Sequence, residues 1–376
     1  MDFELSEELQ MIRDSARDYA RNVAGPTADA RDREHRFPTE EFKAAAELGF
    51  AGILVPEEHG GVDLGTMALA LVVEEVSRGC ASVGVTLSVH NSLVCSPIRR
   101  HGSDEQKVAW LPRLASGELL GAYALSEADA GSDAAALSCK AAPDGENWRI
   151  NGTKLWVTSG NEAGLVIVFA RAEEGVTAFL VDTTSDGFSV GKVEDKLGIR
   201  SSSTVELVLD NVLVPGDCVL GEVGKGLRVA FDTLDGGRVG IAAQALGIGQ
   251  ASLDASIKYA GEREQFARPI AKFQAVQFKL AQMSTDLEAA RLLTWRAAVL
   301  RDQGRPHTLE ASQAKLASSE LANRAADEAV QIHGGAGYTT EFPVARYFRD
   351  ARITEIYEGT SEVQRIVIAR NLLGGR

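Results

Sequence analysis

Apolar residues recur along this chain with one period at its two ends and another in the middle. In LSEELQMIRDSARDYARNVAGP (5–26), Leu9, Ile12, Ala16, Tyr19, Ala20 and Val23 follow at three- and four-residue steps, and Gly25-Pro26 stops the run. That spacing predicts a helix with one buried face. TEEFKAAAELG (39–49) predicts a second helix, with Thr39 as N-cap and Gly49 past its end. From about residue 119 to 225 the period shortens to two. PDG (143–145) and NG (151–152) flank ENWRI, and then KLWVTSG, LVIVFAR, VTAFLVD, GFSVGKV and STVELVLDNVLVP follow. These short β-branched runs predict a meander of antiparallel strands closed as a small barrel or sandwich. The helical period returns in long Ala/Leu-rich segments, 227–261, 273–303, 309–332 and about 361–372, which read as a four-helix bundle. Helices, then strands, then helices predict an α+β fold of three domains: an N-terminal α domain (1–118), a middle β domain (119–226) and a C-terminal α bundle (227–376).

Composition narrows the function. Apolar residues make up 45% of the chain and charged residues 24%, an ordinary globular balance. A formal charge of −14 argues against a nucleic-acid partner, which needs clustered Lys and Arg. A phosphate-bearing small ligand remains open, because a few local donors suffice to hold one. The four cysteines (Cys80, Cys95, Cys139, Cys218) form no CxxC pair, so no metal is expected and they read as buried thiols of a reducing, cytoplasmic compartment. The acidic opening MDFELSEELQ gives no expectation of a leader, and no apolar run approaches the roughly 18 residues of a membrane helix.

Several familiar chemistries are missing. GEVGKG (221–226) lacks P-loop spacing, GIGQAS (247–252) lies inside a helix pattern rather than after a strand, and neither HExxH nor GxSxG occurs. YALSEADAGSD (123–133) instead runs a strand into a Gly/Ser/Asp turn, either a surface turn or a polar cradle for a flat ligand edge or a phosphate. KLWVTSG places Trp156 and Thr158 on one strand face; taken alone, the indole reads as core. GEREQFARPI sets Arg263 and Gln265 at a helix end, and QIHGGAGY (331–338) ends another helix on paired glycines. DGGR (235–238) puts Asp235 and Arg238 one turn apart, with two glycines between them that cost roughly 1 kcal/mol each in a helix. Close packing at that point would explain them. In ITEIYEGTSEVQR (353–365), Ser361 and Gln364 fit a capping box. Glu358 is then either a decoration at a helix start or a base in an apolar pocket, where burial raises its pKa toward the working pH.

Taken together and in this order, LSEADAGSD, WVTSG, R-x-Q-F, QIHGGAGY and IYEGTSE resemble the acyl-CoA dehydrogenase family over nearly the whole chain. LLTWRAAVLRD (292–302) and the stretch around Glu358 are most similar to its short-chain, butyryl-CoA type. The resemblance implies an FAD enzyme that converts a short acyl-CoA to trans-2-enoyl-CoA and passes electrons to an electron-transfer flavoprotein, as in fatty-acid oxidation. Glu358 is implied as the base taking the α-proton while flavin N5 takes a β-hydride. Tyr123, Leu125, Ser126, Gly131, Ser132, Trp156, Val157 and Thr158 are implied around the flavin. Arg263, Phe266, Gln274 and the segment Gln331, Gly334, Gly335 are implied on a neighbouring subunit's FAD, hence a homotetramer, a dimer of dimers. Thr360, Ser361 and Glu362 are implied near the diphosphate and adenosine. Ser132, Asp235, Arg238 and Gly359 are implied on the CoA thioester.

Three positions depart from the family pattern: Ala128-Asp129 in place of a proline, Ala267 in place of glycine, and His333 where an apolar residue is common. A short branched-chain dehydrogenase acting on isobutyryl- or 2-methylbutyryl-CoA is the near alternative. A non-catalytic flavin or acyl-CoA binding protein, marked by loss of the carboxylate at 358, is the distant one.

Overall fold

The computed structural model describes residues 4–374. Its N-terminal helices are α1 (Glu7–Tyr19), α2 (Ala28–Glu34), α3 (Thr39–Glu47), α4 (Gly65–Gly79), α5 (Ala81–Val89), α6 (Ser96–His101) and α7 (Asp104–Ala115). Ser6 caps α1 by accepting from the Leu9 N–H, and Glu7 and Glu8 sit at its positive end. Thr39 is the first residue of α3 rather than its cap: Pro38 occupies the cap position, and its carbonyl accepts from Phe42 N. Helices α4 and α5 are buried on nearly every side, and two π-helical turns (Ala20–Ala24, His90–Cys95) extend α1 and α5.

The middle of the chain holds β1 (Gly121–Ala124), β2 (Lys140–Asp144), β3 (Asn147–Thr158), β4 (Leu165–Ala172), β5 (Gly175–Asp182), β6 (Phe188–Val193), β7 (Thr204–Pro215) and β8 (Val219–Leu220). They form one sheet in the order β6-β7-β3-β2-β4-β5-β8, with β1 on β4. The sheet curls so that Ile150, Val205 and Leu207 of one half share an interior with Val166, Val168 and Phe179 of the other. The expected all-antiparallel meander needs correction, because β1 runs parallel to β4, Gly121 beside Leu165 and Ala124 beside Val168. The chain enters the sheet from the helical domain, so this partner lies far along the sequence and leaves no local signal. Strand β4 is covered on both faces. Its Leu165, Ile167 and Phe169 pack on Ile98, Leu111, Leu114 and Val229 of the helices. That double cover is why it reads LVIVFA without alternation.

Four long helices follow in the C-terminal part, α8 (Gly226–Glu262), α9 (Gln274–Asp302), α10 (Thr308–His333) and α12 (Ser361–Leu372), with the short α11 (Val344–Arg352) before the last. A two-stranded hairpin, β9 (Glu264–Gln265) and β10 (Arg268–Pro269), joins α8 to α9. Helix α8 packs on α4 as well as on α10, tying the bundle to the N-terminal domain. Cys80, Cys95 and Cys139 are buried as free thiols, but Cys218 is only half-buried, because it lies in a surface turn before β8. Among the described residues no group of side chains could hold a metal ion, and no helix is long and apolar enough to cross a membrane.

Candidate active site

The two glycines of DGGR lie in the interior of α8, and each makes room for one particular group. A Cβ on Gly236 would stand 2.6 Å from the Arg301 guanidinium carbon. A Cβ on Gly237 would stand 2.1 Å from Glu358 Oε2 and 2.8 Å from Leu93 Cδ2. Bare backbone at 237 therefore gives the Glu358 carboxylate its seat. Beside it the Arg238 Nη1–H donates to Asp235 Oδ1 at 2.5 Å, and the Thr308 hydroxyl donates to Asp235 Oδ2 at 2.5 Å. Arg238 is buried and Asp235 half-buried, a polar cluster one turn from the carboxylate.

Glu358 is presented by a turn in which it and Gly359 both take left-handed backbone, φ +51° and +91°. For a residue with a Cβ that conformation costs about 1–2 kcal/mol, so the surroundings must impose it. They do so through the carbonyls: Gly359 O accepts from Lys315 Nζ at 2.7 Å and from Gln364 Nε2 at 2.9 Å, and Gln364 Nε2 also reaches Glu358 O at 3.3 Å. The Tyr357 hydroxyl donates to Gln244 Oε1. Here the capping box requires correction. Thr360, not Ser361, is the N-cap of α12, accepting from Val363 N at 3.3 Å. Ser361 is buried one position later, and the Gln364 side chain turns back to the Glu358–Gly359 carbonyls instead of to the cap.

Burial raises the Glu358 pKa from its ordinary value to about 7, against the opposing pull of Lys315 and then of Arg238. Glu358 Oε2 is buried with no hydrogen-bond partner, as are the Tyr123 hydroxyl and Ser361 Oγ. Tyr123 lies near enough to feel the charge: burial first, and then Glu358, push its phenol pKa up. Lys315 is fully buried, and burial lowers its pKa to about 8 while Glu358 acts in the opposite sense.

From β1 the chain continues as Leu125–Ser126 alongside the end of β3, where Leu155 N donates to Ser126 O at 2.9 Å and Lys154 Nζ to Leu125 O at 3.2 Å. This brings Tyr123, Leu125 and Ser126 beside Trp156, Val157 and Thr158. A bulge sets Leu155 and Trp156 where β7 has the single residue Glu206, with Trp156 at φ +59°. The core reading of the indole is thereby corrected: Trp156 is 59% exposed, while Val157 beneath it is buried. Gly131 and Ser132 are exposed on the adjoining turn. That turn is pinned by a buried pair, Lys154 Nζ to Glu127 Oε1 at 2.6 Å, which the sequence reading does not name. Glu127 also accepts from Ser138 N at 2.6 Å and from Cys139 N at 3.0 Å. Burial alone would raise the Glu127 pKa, but the hydrogen bonds from Lys154 and Ser138 outweigh it and hold it at about 2. The signals for this pair are a lysine at an inward strand position and a glutamate opening the turn.

The remaining candidates lie elsewhere. Arg263, Phe266, Gln274, Gln331, Gly334 and Gly335 are all exposed, Phe266 by 89%. They cluster at the far end of α8 and α10, which are joined there by Tyr259 stacked on His333 with centroids 4.2 Å apart. Burial lowers the His333 pKa and its Nδ1 donates to Ala329 O, so it is a packed neutral ring. Sixteen residues of α10 separate Lys315 from Gln331, about 24 Å of helix. Thr360 is half-buried and Glu362 exposed at the start of α12, near Glu358.

An exposed indole beside a strand end, an exposed polar turn and three buried unpartnered polar atoms suit a flat, heteroatom-rich cofactor whose reactive part meets Glu358. The comparisons agree with the class this defines. The family domains described as "Acyl-CoA dehydrogenase, N-terminal domain", "middle domain" and "C-terminal domain" match residues 6–118, 122–212 and 224–373. The chain belongs to the acyl-CoA dehydrogenase family, FAD-dependent oxidoreductases of acyl-CoA thioesters. It is 51% identical to the short-chain specific acyl-CoA dehydrogenase of Rattus norvegicus mitochondria, over 98% of this chain and 91% of the rat protein. The butyryl-CoA dehydrogenase of Megasphaera elsdenii superposes with a TM-score of 0.98 at 42% identity, covering 99% of this chain and all of that one. Equally similar in fold (TM-score 0.98, 44% identity, 99% of this chain and all of the other) is a chain in the structure described as "Electron transferring flavoprotein of Acidaminococcus fermentans: Towards a mechanism of flavin-based electron bifurcation".

Proposed function

We propose that this dehydrogenase acts on short, unbranched acyl-CoA and forms the trans-2-enoyl-CoA, with Glu358 taking the α-proton. The observation that carries the reading is the seat of Glu358: a carboxylate against bare backbone at Gly237, with a pKa of about 7 and an unpartnered Oε2. A base poised near neutrality is what removal of a weakly acidic carbon proton requires. Tyr123, Leu125, Ser126 and the Trp156–Thr158 ledge would hold the isoalloxazine of FAD, and bound FAD supplies the acceptor for the β-hydride. The chain's own part is to hold the thioester and move the proton. Asp235 and Arg238 offer a carboxylate and a guanidinium to the amides of the CoA arm. Gly359 lets the thioester approach the backbone, and among the described residues no group accepts from the Glu358 N–H, which is left to polarise the thioester carbonyl. Half-buried Tyr357 and Tyr123 shield the carboxylate from water.

The same reading assigns electron-transfer flavoprotein as the acceptor, the cytoplasm as the compartment and a dimer of dimers as the assembly. The flavoprotein acceptor is supported by the flavoprotein-associated neighbour, and the assembly by the exposed Phe266 and Tyr338 at the outer end of the bundle; the compartment rests on the free thiols alone. The test is anaerobic titration of the purified holoenzyme with butyryl-, isobutyryl- and longer acyl-CoA while the flavin absorbance is followed. Butyryl-CoA is expected to bleach it fastest; faster bleaching by isobutyryl-CoA would move the assignment to the branched-chain type. Glu358→Gln is expected to keep FAD and lose bleaching, and retained bleaching would remove Glu358 from the base role.

A further inference from the structure

Lysines keep their ammonium groups in water by extending along the surface. Lys315 does the opposite. It lies in the third turn of α10, fully buried, and among the described residues its Nζ donates to one group only, the backbone carbonyl of Gly359. No carboxylate stands within ion-pair distance of it among those residues. A buried cation served by a single neutral acceptor is expensive, so its position calls for a reason.

We propose that Lys315 is a positioning residue for the reaction at Glu358: it clamps the Gly359 carbonyl, fixes the left-handed turn that aims the carboxylate, and supplies a cation facing it. The inference rests on Glu358 being the base. The clamp is geometric. Lys315 and Gln364 together occupy Gly359 O at 2.7 and 2.9 Å, which fixes the peptide plane following Gly359, and Gln364 restrains the plane before it. Two consecutive residues at positive φ are thereby held, one of them a glutamate. The charge is the second part. The charged groups near enough to act on Lys315 are Glu358, Arg238 from α8, Glu355 from the segment before the turn and Glu362 from α12. Those acting on Glu358 are Lys315 and Arg238, and Tyr123 and Tyr357 feel its charge in turn. Burial drives the Glu358 carboxyl toward its protonated, inactive form, and Lys315 is the larger of the two cationic influences opposing this. A neutral side chain at 315 would leave the base protonated to higher pH.

The experiment is stopped-flow anaerobic flavin reduction by butyryl-CoA across pH, on holoenzymes of the wild type, Lys315→Met, Lys315→Arg and Glu358→Gln. In K315M the ascending limb is expected to move up by about one pH unit, so the rate on that limb falls roughly tenfold. The spectrum of bound FAD should not change. K315R keeps the charge and is expected to return the limb toward the wild-type position with a lower plateau, since the guanidinium fork does not reproduce the single bond to Gly359 O. If K315M does not fold, Lys315→Gln, which keeps a donor without the charge, carries the same expectation. A neutral variant whose limb coincides with wild type overturns the proposal. An E358Q enzyme that still reduces its flavin overturns the base reading instead, and the two failures are read from different proteins.

Discussion

Helices α8 and α10 carry candidate residues at both of their ends, and the two ends are built in opposite ways. At the inner end, Gly236, Gly237, Arg238 and Lys315 surround Glu358 with packed atoms, and Lys315 and Arg238 act on its charge from buried positions. At the outer end, Arg263, Phe266, Gln331 and Gly334 stand in the open, and the rings of His333 and Tyr259 are the packed part beneath them. The difference separates two kinds of site. Burial raises a carboxyl's pKa only where water is excluded, so the inner end offers within one chain a place for proton chemistry at Glu358. The outer end has exposed donors and an aromatic surface, which in the proposed assembly would meet a neighbouring subunit.

The largest effect that would break this contrast comes from Gly237→Ala. Its Cβ would fall 2.1 Å from Glu358 Oε2, against a carboxylate whose backbone is clamped. Displacement of a reacting group by about 1 Å can cost on the order of 100-fold in rate, and a loss of that size in single-turnover flavin reduction is expected with FAD retained. A G237A enzyme with wild-type rates would show that the seat at 237 does not set the position of Glu358.

How much of this is legible in the sequence depends on where each cause lies. The helix–strand–helix order and the glycine pair of DGGR were legible, because periodicity and a costly residue each leave a local mark. The parallel pairing of β1 was not, since its partner at Leu165–Val168 lies more than forty residues on. The indole of Trp156 reads as core but stands exposed, because a bulge shifts its face and alternation carries no sign of the extra residue. The capping box slipped by one position for a related reason: Thr360 and Ser361 are both competent caps, and tertiary demand on Gln364 from the Glu358–Gly359 carbonyls decides between them. Lys315 and Lys154 do not stand out, because a lone lysine in a periodic pattern reads as solvated surface, and only three-dimensional packing reveals a buried one.

A smaller effect sharpens the outer half. Arg263 is exposed and its side chain has no ion pair among the described residues, so Arg263→Ala removes little from the chain itself. If that end completes a cofactor site on another subunit, the loss of one charge-assisted hydrogen bond is expected to weaken FAD retention by about 10- to 100-fold. The pH limb of flavin reduction should stay where it is. Fluorescence of released FAD on dilution, with sedimentation velocity on the same samples, measures both parts. Unchanged retention in R263A would leave the outer end as plain surface.

The smallest effect concerns the hairpin at that same end. Its two-residue turn, Phe266–Ala267, has φ of +53° and +57°, the arrangement of a type I′ turn, which favours Asn or Gly at both places. Ala267 carries its Cβ into left-handed backbone at a cost of about 1–2 kcal/mol, and nothing clamps it as Lys315 clamps Gly359. The compensation is local: Phe266 packs edge-on against Phe273, with centroids 6.0 Å apart, and the Arg268 guanidinium lies 4.3 Å over the Phe273 ring. Ala267→Gly relieves the strain but frees the unfolded chain, which takes back roughly half of the gain. The net expectation is a stabilisation of about 0.5–1 kcal/mol and a rise of about 1–2 °C in the first thermal transition. Flavin reduction kinetics should not change, because the turn lies far along α8 from Glu358. If A267G instead alters the reduction rate, the two ends are coupled through the helices and the division between them fails.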